Sequence, residues 1–139
     1  MNYLNKAVDS LKELYKKYEK KGLLSIYLWG SIITDEFDFQ KSDVDAIGIV
    51  DNSFDITFEE INSSLSKISP KFKEFKINSL FLDELNSGKI RSRISGFIPP
   101  KILLLEFDNW HFVTGKRFDK SDFKLKPASF DEAICIILD

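Results

Sequence analysis

One cysteine and one histidine are all that the 139 residues contain, and that shortage excludes two kinds of protein at once. Cys135 has no second cysteine to bond, so the chain holds no internal disulfide, and Cys135 with His111 falls short of a Cys/His zinc site. An excess of basic charge is missing too. Twenty Lys and Arg stand against 22 Asp and Glu, for a net charge of -2. This balance argues against nucleic acid as a partner, because sequence-independent affinity for a phosphate backbone comes from clustered positive charge. No apolar run approaches the roughly 20 residues needed to cross a bilayer. The opening "MNYLNKAVDSLKEL" also lacks the apolar centre of a secretory signal, so the expected address is the cytoplasm, with no membrane engaged. Repeats and low-complexity segments are absent as well.

What is present is a globular balance of 43% hydrophobic and 30% charged residues, with 13 phenylalanines promising an aromatic core. The length suits one domain able to bury a core. Leu4, Val8, Leu11, Leu14, Tyr15 and Tyr18 recur at helical steps and predict an amphipathic helix ending near Gly22. "LLSIYLW" and "VDAIGIV" read as strands. Between them, "IITDEFDFQKS" has room for a turn or two of helix and a loop. Phe58, Ile61, Leu65 and Ile68 mark a second helix, opened by Thr57 and Glu60 in capping-box spacing and closed before Pro70. "KFKEFKINSLFL" predicts a strand with basic residues on one face, and "WHFVTG" another strand. "DELNSGKIRSRISGFIPP" and "KRFDKSDFKLKP" read as irregular connections, and "KILLLEF" as a short buried element, helix or strand. Ser129 and Glu132 form a second capping box before "AICIILD". The expected organisation is therefore a domain over 1–127 and, from 128 to 139, the start of a C-terminal helix. That helix would belong to a further helical domain, or would pack against a second copy or a helical partner.

Two aspartates interrupt the apolar strand "VDAIGIV" and its approach. Asp43 and Asp45 point to one face, about 7 Å apart along the strand, with Val44, Ala46, Ile47, Ile49 and Val50 around them. Burying two ionised carboxylates costs several kcal/mol unless a positive group neutralises them. Magnesium suits the task, since it takes one or two carboxylates and completes its shell with water and substrate phosphate oxygens. Gly30 and Ser31, directly after the first strand, supply a turn in which backbone can approach an anion. The plainer alternative is a simple turn followed by solvated aspartates at a strand start. Strand, Gly-Ser, ten residues and Ser42-Asp43-Val44-Asp45 together favour the phosphate site.

The stretch "LWGSIITDEFDFQKSDVDAIGIV" resembles the signature of the nucleotidyltransferase superfamily, the group that includes the catalytic domain of DNA polymerase β, aminoglycoside adenylyltransferases and minimal nucleotidyltransferases. The matching residues are Gly30, Ser31, Ser42, Asp43 and Asp45. The resemblance implies an α/β (α+β) domain with a mixed β-sheet flanked by helices. It also implies a nucleoside triphosphate, ATP by preference, with Gly30, Ser31 and Ser42 near its phosphates, and two Mg2+ ions bound with the triphosphate and held by Asp43 and Asp45. The reaction implied is transfer of a nucleotidyl group to a hydroxyl of a small, antibiotic-like molecule or of a protein, with much of the acceptor site in a following helical domain. "FVTGKRF" resembles the Gly-Lys strand end of the small members, which makes Lys116 a further phosphate candidate. The family's third carboxylate, on a later strand, is replaced when "KINSLFLDEL" is aligned, because Asn78 falls at that position. Glu74 shares the strand face of Asn78 and ranks first among nearby acids, ahead of Asp83, Glu106 and Asp108. Arg91, Arg93 and Lys101 read as a solvated basic loop, His111 as an edge-strand or packed histidine, and Cys135 as core or interface. The competing expectation is a catalytically impaired, nucleotide-binding or antitoxin-like interaction domain of the same fold. A polymerase or tRNA-end enzyme is disfavoured by the acidic balance and the length.

Overall fold

The computed structural model describes residues 3–33, 43–72, 74–87, 104–126 and 129. Ser42, Arg91, Arg93, Lys101, Cys135 and the expected C-terminal helix lie outside them. The amphipathic N-terminal pattern becomes α1, Tyr3–Tyr18, with Ala7, Leu11, Leu14 and Tyr18 buried along one stripe. A 3₁₀ turn, Glu19–Lys21, follows and is closed by Gly22 at φ 110°, where a left-handed residue is needed to end the helix. β1 is Leu23–Trp29 and β2 is Val44–Val50, each buried over most of its length. α2, Phe58–Ile68, starts where the sequence places it, with the Thr57 hydroxyl accepting the Glu60 N–H at 3.1 Å. β3 is Phe75–Phe81 and β4 is His111–Gly115.

The sheet order is β3-β2-β1-β4, with β1 antiparallel to both β2 and β4 and β2 parallel to β3. It is therefore a mixed sheet, and β2-α2-β3 forms its one parallel crossover among the described residues. Alternation along the strands divides the core in two. Ile26, Leu28, Val44, Ala46, Val50 and Ile77 face α1 and α2. Tyr27, Ile47, Ile49 and Leu80 face the other way, onto Leu85, Leu104, Trp110, Phe118 and Phe123. Among the described residues no helix is long and apolar enough to cross a membrane.

Two connections depart from the sequence reading. The segment expected to be irregular opens with a short helix, α3, Leu82–Ser87. Its start is stabilised by bonds that the local pattern does not advertise: the buried Glu84 carboxylate accepts the Phe81 N–H at 3.1 Å, and Asn52 Oδ1 accepts the Asp83 N–H at 2.9 Å. "KRFDKSDFKLKP" is not wholly polar in effect, since Phe118 and Phe123 bury their rings in the second core. The Phe118 N–H donates to the Tyr27 hydroxyl at 2.8 Å, tying this segment across to β1.

Among the described residues the outer edge of β3 is covered by a side chain rather than by a strand. Asn62 of α2 accepts the Ile77 N–H at 2.8 Å and donates through Nδ2 to the Ile77 carbonyl at 2.9 Å, as a neighbouring strand would. Asn62→Leu leaves both Ile77 groups without these partners and is expected to cost about 1–3 kcal/mol. A denaturant titration with an unchanged midpoint would contradict that role.

Candidate active site

Gly30 ends β1 at φ 92°, a conformation that favours glycine, and the Ile33 N–H donates back to the Gly30 carbonyl at 3.3 Å to close the 3₁₀ turn Ser31–Ile33. A Cβ on Gly30 would stand 3.7 Å from Asp45 Oδ2. The turn and the aspartate pair, separated in sequence, thus meet at one end of the sheet. Trp29 is the cross-strand partner of Asp45 on β1. Asp43 lies one residue before β2 and is exposed, while Asp45 is half-buried on the same face as Ile47 and Ile49.

On its other side β2 meets β3 in parallel, and the register pairs Asp45 with Lys76 and Ile47 with Asn78. Glu74 immediately precedes β3, its carbonyl accepting the Val44 N–H at 2.7 Å. Its carboxylate pairs with Lys76 Nζ at 3.1 Å, both side chains being about half exposed (46% and 51%). Asp43, Asp45, Glu74 and Lys76 therefore form one charged group. Its electrostatics are legible in Asp45, whose carboxyl is raised above its ordinary value first by burial and then by the negative charges of Asp43 and Glu74, with Lys76 acting in the opposite direction. A half-buried acid kept short of compensation by two neighbouring acids is a place where a cation is welcome.

Asn78 sits two pairs farther along the sheet, roughly 7 Å from the Lys76 position, on the same strand face. Asp83 opens α3 at the opposite end of β3. Asp108 pairs with Lys120 at 3.4 Å, and Glu106 accepts from Asn109 Nδ2 at 2.8 Å, beside the start of β4. His111 is exposed at the start of the edge strand β4. Lys116 is not brought to the site. Its N–H donates to the Leu24 carbonyl at 2.9 Å, so it stands six residues of strand, roughly 20 Å, from Gly30, and its ammonium lies over the Phe118 ring at 4.9 Å.

Neither the known protein-family models nor the curated proteins match this sequence. Among solved structures, that of the spectinomycin adenyltransferase AAD(9) from Enterococcus faecialis, with ATP and spectinomycin, superposes over 97% of this chain at a TM-score of 0.66 and 18% identity. This chain has the nucleotidyltransferase fold. It spans 64% of the length of that adenyltransferase chain. A second structure, from Sulfolobus solfataricus, aligns over 58% of this chain and 72% of its own at 14% identity, and its TM-score of 0.41 is too low to bear on the fold.

Within the nucleotidyltransferase fold Lys76 joins Asp45 although the motif spacing does not point to it. The basic face of "KFKEFKINSLFL" is visible in the sequence, but only the register with β2 turns one of its lysines toward Asp45. Among the described residues no group of three His, Cys, Asp or Glu side chains is arranged to hold a metal ion. The donor set fits one magnesium ion carried in with a triphosphate, because Asp43 and Asp45 supply two carboxylates and magnesium draws its other ligands from water and phosphate.

Proposed function

We propose that this domain transfers a nucleotidyl group from a nucleoside triphosphate, ATP by preference, to a hydroxyl of a small acceptor molecule. The observation that carries the reading is the meeting of the Gly30 turn with Asp45, whose carboxylate would stand 3.7 Å from a Cβ at Gly30 and feels the negative charges of Asp43 and Glu74. The adenyltransferase of the same fold, solved with ATP and spectinomycin, supports both the triphosphate and the small-molecule acceptor.

In this reading Asp43 and Asp45 hold Mg2+, which when bound offsets the charge of the triphosphate. The turn at Gly30 and Ser31 lets backbone come close to the phosphates, since no side chain at Gly30 stands in the way. Ser42 is assigned, on the motif alone, a hydroxyl for the same phosphates. Glu74, exposed beside the aspartates, receives the proton of the acceptor hydroxyl. The acceptor oxygen forms its bond to the α-phosphorus as the bond from that phosphorus to the bridging oxygen breaks, and pyrophosphate leaves with the electron pair. A C-terminal helical region beginning near residue 128 would complete the acceptor side.

The reaction is tested by incubating the full chain with Mg2+, each α-labelled triphosphate and a panel of hydroxylated acceptors, aminoglycoside-like antibiotics and protein among them. Acceptor-dependent label transfer with release of pyrophosphate is the expected result. Triphosphate binding with no pyrophosphate released under any condition would instead identify a nucleotide-binding domain that performs no transfer.

A further inference from the structure

We propose that Lys76 is the second cation of this site, so that the chain works with one divalent ion where two-metal phosphoryl-transfer sites use a pair. This rests on the nucleotidyl-transfer reading above. The juxtaposition behind it is the parallel register of Asp45 with Lys76, which puts a carboxylate and an ammonium on the same face of adjacent strands whose backbones run about 4.8 Å apart.

Charge balance supports it first. Asp43, Asp45 and Glu74 carry three negative charges, and Lys76 cancels one of them, leaving two for a single divalent ion. A second divalent ion would have to lie against the Lys76 ammonium, which faces the same carboxylates. Geometry supports it next. Paired catalytic metals sit about 3.5–4 Å apart, so a second ion would need ligands within that distance of the first. The β3 position that faces Asp45 carries a lysine instead, and among the described residues no three acids converge as a metal cage.

Lys76 is also placed to act. Its ammonium is held at 3.1 Å by Glu74 and both partners remain about half exposed, so an incoming phosphate oxygen can reach it. An exposed ion pair of this kind is worth little in itself, and Lys76 can exchange Glu74 for a phosphate oxygen at small cost. A compact point charge with three donors suits a non-bridging oxygen of the α-phosphate, where negative charge must be stabilised during transfer.

The test counts ions. Mn2+ is titrated into the full chain with saturating α,β-methylene-ATP, a triphosphate that cannot be split between its α and β phosphorus atoms. Bound Mn2+ is read by electron paramagnetic resonance and triphosphate affinity by calorimetry. One Mn2+ per chain is expected for the parent protein and two for Lys76→Glu. Lys76→Met should keep one ion but bind the triphosphate roughly 10–100-fold more weakly, the loss of one charged hydrogen bond, with Lys76→Arg recovering most of it. Two Mn2+ ions on the parent protein, or unchanged triphosphate affinity in Lys76→Met, would overturn the role of Lys76 while leaving nucleotide binding intact. No binding of the triphosphate by the parent protein would overturn the nucleotidyl-transfer reading and this inference with it.

Discussion

Asp45→Asn should lose nucleotidyl transfer by at least about 100-fold and, at neutral pH, melt at a higher temperature than the parent protein. The loss follows from removing one of the two carboxylates proposed to hold the metal, since disturbing even the outer contacts of such ligands typically costs about 10–100-fold. The gain follows from the environment of Asp45. Burial, then Asp43 and Glu74, raise its carboxyl above the ordinary value of 3.8. As pH rises through 3.8 the unfolded chain releases this proton before the native state does, so native stability falls until the native carboxyl has also ionised. At neutral pH the whole of that penalty is present, and asparagine removes it. The difference in Tm between Asp45→Asn and the parent should therefore be positive at neutral pH and shrink to nothing below about pH 3.8. Thermal melts across that range check the sign, and a variant less stable than the parent at neutral pH would show that Asp45 is already compensated. Activity and stability are predicted to move in opposite directions at one residue, which an acid retained only for structure would not do.

Gly115→Ala is expected to have the largest effect on the fold itself. Gly115 ends β4 at φ 90°, and a Cβ there would collide with the Leu24 carbonyl oxygen and crowd Ser25 Cα at 2.8 Å. These are backbone atoms of β1 and cannot turn aside as a side chain would. The left-handed conformation costs an alanine about 1–2 kcal/mol, and the displacement of packed backbone about 1–3 kcal/mol more. That is a large part of the 5–15 kcal/mol that holds a typical domain together. A fall in Tm of about 10 °C is the expected reading. The aromatic side of the molecule should loosen with it, because Phe118, Phe123 and the Tyr27 hydroxyl bond all depend on the chain leaving β4 in this direction. A melt within a degree or two of the parent would mean that β1 and β4 are not held so closely.

Much of this was legible in the sequence, for reasons that are local. β1 and β2 show as apolar runs bounded by glycine and aspartate, and α2 announces both its first turn at Thr57 and its end before Pro70. Helix α3 was not legible because its Asp83 N–H donates to Asn52, thirty-one residues away. Phe118 and Phe123 were hidden by polar neighbours, since two aromatics spaced five apart in a connection have no period to betray them. The candidate site divides along the same line. Gly30 and Asp45 sit in one continuous stretch of chain, and their meeting needs only an antiparallel return of β1 onto β2. What faces Asp45 from β3 depends on the offset of a parallel pair joined through a whole helix. Alignment of the strand alone points to Asn78, whereas the register seats Lys76 opposite Asp45 and Asn78 opposite Ile47.

That offset is where Asn62 gains a second significance. Its paired bonds to the Ile77 N–H and carbonyl act on the residue next to Lys76, so α2 fixes not only the edge of the sheet but the phase of β3. A slip of β3 by one residue would turn Ile77 toward the aspartates and Lys76 into the helix-facing core. The chemistry of the charged end of the sheet is thus indexed by an amide on a helix that contributes nothing to it directly.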